Sequence, residues 1–408
     1  MTNSTRVTAG AERTLDFTGK LVILLSGVLS SLSLTAINSV LPSIARDLAH
    51  GPDDAVLVKQ LVGAVALAMA VGAPLSGYLA DRIGLRPTLF AASIVYTVAG
   101  TAGLYLSSLP ALLVSRLFLG LAAASIQVLG LTMVNKTLKE QARAKWMGLH
   151  ASFAIVGTLF FYPIAGQLGE ISWRLPFLLY GGGAVLVVGL MCSRGDEAAR
   201  AEPFQTRTAA APAGPGIISW FPWHYLLLAF TAGAMTFLPA ISVPFQLKQQ
   251  ADATPSMISY VLTGGSAVGA AIAMLYGPAR RRFSAHTAFL FSFGMAGLGA
   301  LVAANAWSFS GVVCGILLHS IGTAWFSPNI MTALGGKVTH DQQGRAAGLV
   351  KAAFFLSTPL TVILIQPLVQ TFGEVISMQV VAILGSFMFV VMALRMALAT
   401  HAQPALAK

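Results

Sequence analysis

The sequence predicts an all-α membrane protein, with twelve transmembrane helices in two pseudo-symmetric six-helix bundles. Three observations carry that expectation. Of the 408 residues, 56% are apolar and only 10% are charged, against roughly 25% charged in soluble domains. The apolar residues fall into twelve stretches near the roughly 20 residues that cross a bilayer as a helix. The basic residues gather in alternate connections between those stretches.

The first six stretches are Lys20–Leu41, Val56–Ala80, Thr88–Leu106, Leu109–Val134, Met147–Leu168 and Leu175–Cys192. The second six are Trp223–Gln246, Met257–Tyr276, Thr287–Ala304, Ser308–Leu334, Ala346–Val369 and Val375–Leu398. The first has membrane length and no clear A-x-A site, so it reads as a retained helix rather than a signal peptide. Trp146, Trp173, Trp220, Trp223 and Trp307 fall near predicted helix ends, where indole rings anchor at the interface. The longest polar stretch separates the sixth and seventh helices. The expected organisation is therefore a tail over 1–19, a bundle over 20–193, a linker over 194–219, a second bundle over 220–399 and a tail over 400–408.

Charge placement sets the expected orientation. With the N-terminus inside, the inner segments hold 19 of the 25 Lys and Arg, while the outer loops hold only Arg46, Lys59, Arg174 and Lys248. Positive residues stay cytoplasmic, so both termini are expected there. The net charge of +11 lies in short separate loops rather than on one face, which argues against a nucleic-acid partner. The two cysteines sit inside apolar runs, and no CxxC, HExxH, GxSxG or GxxxxGK[ST] occurs. No cofactor, metal or enzymatic activity is expected.

The halves echo each other at an offset near 200 residues. Ala36-Ile37-Asn38-Ser39-Val40 parallels Ala240-Ile241-Ser242-Val243, Gly148-Leu149 parallels Gly348-Leu349, and Gly169-Glu170 parallels Gly373-Glu374. Duplicated halves are how many transporters build two alternating access states.

Between the second and third stretches lies Gly77-Tyr78-Leu79-Ala80-Asp81-Arg82-Ile83-Gly84-Leu85-Arg86. It resembles the loop signature G-x-L-A-D-R-x-G-R-[KR] of the major facilitator superfamily, with Leu85 in place of a basic residue. Together with twelve helices, a central linker and the repeat, the resemblance spans nearly the whole chain. It implies the major facilitator fold and a conformational latch formed by Gly77, Asp81, Arg82 and Arg86. In the family that acid meets the cytoplasmic start of the eleventh helix, here near Gly344 to Gly348. Arg116 and Gly120 resemble the fourth-helix pattern R-x-x-x-G of proton-driven members. In the fifth stretch only Pro163 and Gly166 match the antiporter signature, and Ser33 stands where a first-helix acid is usual. The family architecture puts helices 1, 4, 7 and 10 around a central cavity. The candidates for substrate binding are then Asn38, Gln127, Phe237, Trp325 and Asn329.

All 14 acids fall in predicted loops or tails, leaving no carboxylate at mid-membrane. The coupling candidates are therefore basic: Arg116, His319 and Lys351. An ionisable side chain at that depth is a functional candidate by default, and histidine titrates near neutral pH. Lys351 could bind an anionic solute or snorkel to the cytoplasm.

The expected activity is secondary active transport of a small organic solute by alternating access. The favoured form is proton-driven export of a drug-like compound or a secondary metabolite of antibiotic or siderophore type. One alternative is an organic-anion uniporter or exchanger that takes up a small carboxylate. Another is a transport-inactive membrane receptor of the same fold. The expected partners are the solute, protons and the lipid bilayer, for a monomer in a bacterial inner membrane.

Overall fold

The computed structural model describes residues 17–138, 140–192 and 220–402. Most of the two expected tails and the linker over 194–219 lies outside the described residues. Those residues form helices and no strand. Twelve segments are long and apolar enough to cross a membrane. They are α1 Gly19–Leu48, α2 Asp53–Ile83, α3 Leu85–Leu104, α4 Leu109–Asn135, α5 Lys145–Ile171 and α6 Leu175–Cys192 in the first half. The second half has α7 His224–Ala251, α8 Pro255–Met274, α9 Ala285–Ala304, α10 Phe309–Gly335, α11 Gln342–Phe372 and α12 Val375–Ala397.

An even number of crossings returns the chain to its starting side. Both described ends therefore emerge at one face, called here the terminal face, and the opposite face is the distal one. Polar side chains mark several starts: Thr254, Ser284 and Ser308 each accept a backbone N–H three residues on, and Thr339 with Gln342 forms a capping box.

Several crossings depart from regular α-helix, α3 among them with a closing 3-10 turn at Ala102–Leu104. α1 tightens to a 3-10 turn at Asn38–Val40, α6 opens with a 3-10 stretch at Leu175–Gly182, and α10 is interrupted between Thr323 and Phe326. Two expected boundaries need correction. α1 runs past Pro42 because proline fits the first turn of the helix that restarts at Leu41, so Asp47 rides on a helix rather than in a loop. α5 continues to Ile171 and carries Glu170 in its last turn.

Each half has its own core. Leu29, Leu32, Val62, Val65, Tyr96, Leu119, Phe177 and Tyr180 fill the first, and Met235, Phe289, Phe293, Ile316 and Phe326 the second. Small residues let backbones approach, as expected where lipid supplies no hydrophobic drive between helices. A Cβ on Gly299 of α9 would stand 2.1 Å from the His319 backbone nitrogen of α10. The halves meet along two seams, α2 against α11 and α5 against α8. Tyr162 of α5 belongs to the core of the second half, while Ile241 and Val362 belong to that of the first.

Candidate functional site

The seams are tied toward the distal face. On one side the Lys59 ammonium of α2 donates to both Glu374 oxygens at 2.7 and 2.8 Å. The side chains are 4% and 17% exposed, and the ammonium lies 5.1 Å from the Phe245 ring centroid. One residue on, Gln60 Nε2 donates to the Pro359 carbonyl at 2.9 Å. On the other side Glu170 of α5 accepts the Ser256 backbone N–H at the start of α8, at 3.0 Å. Gln167 donates to the Tyr260 hydroxyl at 3.2 Å. These hydrogen bonds between the halves gather toward the distal face; toward the terminal face a Cβ on Gly148, Gly344 or Gly348 would meet nothing within 4 Å. The halves are tied at the distal face, and the space between them, the cleft, is assigned to the terminal side.

Three rings roof that cleft. Phe237 of α7 packs edge-on against Phe354 of α11 at 5.4 Å and tilts over Phe355 at 6.0 Å. Phe355 also packs on the core of the first half, so the trio bridges the seam. One helical turn toward the terminal face, Lys351 lies on the same face of α11 as Phe355 and Pro359. Its side chain is exposed, so it projects into the cleft between the halves. On α5, His150 is buried and its Nε2 has no hydrogen-bond partner. Gln127 on α4 is half-buried.

Arg116 and His319 occupy neither cleft nor surface. Arg116 sits about 10 Å along α4 and is 0% exposed, so it does not snorkel. One terminal nitrogen donates to the Ala99 and Gly100 carbonyls of α3, at 3.3 and 2.9 Å. The guanidinium lies 4.8 Å from the Phe177 ring and 5.0 Å from the Tyr180 ring. Gly100 and Gly103 make room for those rings: a Cβ at either would run into Tyr180 or Phe177. Arg116 is a cation held in an aromatic cage.

His319 of α10 stands between two backbone carbonyls. Nδ1 lies 2.8 Å from the Ala296 oxygen of α9, and Nε2 lies 2.9 Å from the Met235 oxygen of α7. A neutral imidazole donates from one nitrogen only, whereas an imidazolium donates from both. A neutral ring thus satisfies one of the two carbonyls, and a protonated ring would satisfy both.

Three expected cavity residues are corrected by their surroundings. Asn329 is 0% exposed; its amide donates to the Ala285 carbonyl at 3.0 Å and accepts from the Tyr276 hydroxyl at 3.2 Å. Trp325, at the α10 break, donates to the Ile272 carbonyl at 2.8 Å and packs against Phe291 and Tyr276. Both hold the second bundle together. Asn38 is buried in the α1 turn and donates to the Tyr162 hydroxyl at 3.3 Å, beside the seam rather than in the cleft.

The Gly77 loop lies at the terminal end of α2. The space around Gly344 and Gly348 is open. Arg82 lies over the Tyr78 ring at 4.8 Å, Arg86 donates to the Leu190 carbonyl of α6 at 2.6 Å, and Asp81 is half-buried. Gly84 turns the chain at φ 95°, a conformation that glycine adopts without strain.

Sequence reasoning passed over the distal clasps. Lys59 and Glu374 read as ordinary loop charges, and Phe354 and Phe355 as general apolar content. The Gly169-Glu170 and Gly373-Glu374 echo was the available signal, because both acids prove to be clasp residues.

Twelve crossings in two bundles, tied together at one face, define a transporter of the alternating-access class. The family model described as Major Facilitator Superfamily matches residues 23–238 and 225–407, and the chain belongs to that family. Among curated proteins it is similar to the tetracycline resistance protein, class C, of Escherichia coli. The two are 27% identical over 365 residues, covering 83% of this chain and 86% of the relative. It is also 31% identical over 155 residues to a Salmonella typhi protein named for multidrug resistance, MdtD, covering 37% of this chain and 32% of that one. Among solved structures it is similar to a D-xylose-proton symporter, with TM-score 0.76, 16% identity and coverage of 92% and 97%. The human organic anion transporter MFSD10 is a second neighbour, with TM-score 0.62, 16% identity and coverage of 92% and 99%. At these identities the structures show the fold alone. The chain is a multi-pass inner-membrane transporter of small solutes and not an enzyme.

Proposed function

We propose that this transporter exports a drug-like organic solute, drawing on the proton gradient. The observation that carries the reading is the cleft: its distal end is tied shut, its roof is aromatic, and it opens on the terminal face. The bias of basic residues toward that face supports a cytoplasmic placement. The cleft is then open where an exporter loads, and Phe237, Phe354 and Phe355 supply the apolar surface such a solute needs. The names of the relatives, tetracycline resistance and multidrug resistance, favour the same reading. Gln127 is a further candidate at the cleft wall. The Gly77–Arg86 loop serves as the latch of the opposite state, in which Asp81 meets the start of α11.

His319 is the proton carrier in this proposal. With a proton, the ring ties α10 to both α7 and α9. Without it, one carbonyl faces a nitrogen lone pair, and losing such a buried hydrogen bond costs about 1–3 kcal/mol. That is enough to bias two states a few kcal/mol apart. Arg116 keeps its charge at all working pH values, so it acts as a fixed charge in the first bundle.

The test uses everted membrane vesicles with tetracycline as probe. Energised vesicles should accumulate it, and a protonophore should abolish the accumulation. His319→Leu should keep exchange of labelled for unlabelled probe but lose at least about tenfold of the gradient-driven accumulation. Accumulation indifferent to the protonophore, or a His319→Leu protein that concentrates the probe like wild type, would remove the proton coupling.

A further inference from the structure

The cleft carries basic groups that neither the fold nor the coupling scheme uses. Lys351 stands at membrane depth on the α11 face that meets the first half. Phe355, Pro359 and Val362 follow it along that face and make the seam: Phe355 packs on the core of the first half, the Pro359 carbonyl accepts from Gln60, and Val362 is buried in that core. Lys351 is the next step of the same face toward the terminal side, where the seam has parted. Its exposure is therefore assigned to the cleft, and none of the ion pairs among the described residues involves it. An unpaired ammonium at this depth is costly unless something in the cleft answers it.

His150 supplies a second basic group. It lies at a similar depth on α5, its backbone pressed on Gly27 of α1 and its Nε2 buried without a partner. The described acids offer no counter-charge at this level. Asp47, Asp53, Asp54, Glu170, Asp252 and Glu374 lie toward the distal face, and Asp81 at the far terminal end of α2. A cationic solute would enter a positive field, whereas an anionic one would supply the missing partner.

We propose that Lys351 and His150 form an anion subsite under the Phe237–Phe354–Phe355 roof, so that the transported solute carries a carboxylate beside an aromatic or apolar body. The Lys351 ammonium binds the carboxylate as a charge-assisted hydrogen-bond donor. The three rings take the apolar body, and His150, buried on α5, adds a basic side chain behind the cleft wall. The inference rests on the export reading for its site but not for its direction of transport.

The test compares three probes on purified full-length protein: 1-pyrenebutanoate, its primary amide and the corresponding amine. Quenching of tryptophan fluorescence reads binding. Wild type should bind the carboxylate about tenfold or more tighter than the amide, and the amine weakest. Lys351→Gln should abolish that preference while leaving the amide within about twofold, Lys351→Arg should retain it, and His150→Leu should reduce it by a smaller factor. Because the Lys351 side chain is exposed, Lys351→Gln should match wild type in its melting temperature. Equal binding of amide and carboxylate by wild type, equal weakening of both by Lys351→Gln, or no carboxylate binding at all would overturn the subsite. Everted vesicles separate the two readings. A carboxylate preference in binding without gradient-driven accumulation of any probe removes export and leaves the subsite. Accumulation of the amide as strongly as the carboxylate removes the subsite and leaves export.

Discussion

The two distal clasps descend from one repeated dipeptide and work differently. Gly169-Glu170 closes α5, and Gly373-Glu374 follows α11. At Gly373 the backbone turns to φ 82°, which ends the helix and swings Glu374 over to Lys59. The result is an ion pair with one member almost wholly out of water. Glu170 sits in the last helical turn, stays exposed, and meets a backbone N–H at the positive end of α8. That side is held by packing instead: a Cβ on Gly166 would come 2.1 Å from Ser259 Oγ. Identical acids thus give a charged lock on one seam and a close-packed edge on the other. What an acid does at a seam depends on its partner and on how dry the partner is.

The largest expected effect breaks the lock on one side only. Lys59→Met leaves the Glu374 carboxylate facing an apolar side chain, and stranding one member of a buried pair costs about 3–5 kcal/mol. Alternating states commonly differ by a few kcal/mol, so the distal face should open in most molecules. Spin labels at His50 and Trp307, in a background with Cys192 and Cys314 replaced by serine, report the distance between the halves at that face. A longer population should dominate in Lys59→Met. A distribution unchanged from the parent would show that the ion pair holds nothing.

A smaller effect should follow when both charges go. Apolar replacement of a whole buried pair is often neutral or stabilising. Lys59→Met with Glu374→Met should therefore return the label distances toward the parent, within about a tenfold change in population ratio. If the double variant opens as far as the single one, the lock is a matter of shape rather than charge.

How much of this was legible in the sequence follows from what each feature needs. The twelve crossings need only hydropathy and length, and they were legible. The turn at Gly84 and the disposition of Arg82 and Arg86 near a helix end were legible from the Gly77 loop. Phe237 was a candidate through the rule that α7 lines the cavity, whereas Phe354 and Phe355 were not, because α11 lay outside that rule. The depth of Arg116 could be counted along α4, yet its direction could not: snorkelling or caging depends on Phe177 and Tyr180, over 60 residues away in sequence. Trp325 and Asn329 were misplaced for one physical reason. The end of α8 and the start of α9 present backbone carbonyls that Trp325 and Asn329 satisfy, and no pattern along α10 reveals that. The Glu170 and Glu374 echo was visible, but its meaning lay in partners on the opposite half.

The smallest effect sharpens the comparison most. Glu170→Gln keeps the size of the side chain and its capacity to accept the Ser256 N–H, and it removes only the charge at the start of α8. An exposed carboxylate at a helix N-terminus contributes about 0.3–1 kcal/mol, screened by salt. The same labels at His50 and Trp307 should therefore show at most about a fivefold change in population ratio, shrinking further in high salt, while Lys59→Met should respond less to salt because its stranded Glu374 side chain is only 17% exposed. If Glu170→Gln opened the distal face as far as Lys59→Met, the exposed edge would be as much a charged lock as the buried one. The Gly166–Ser259 packing would then be too weak to hold the α5–α8 seam by itself.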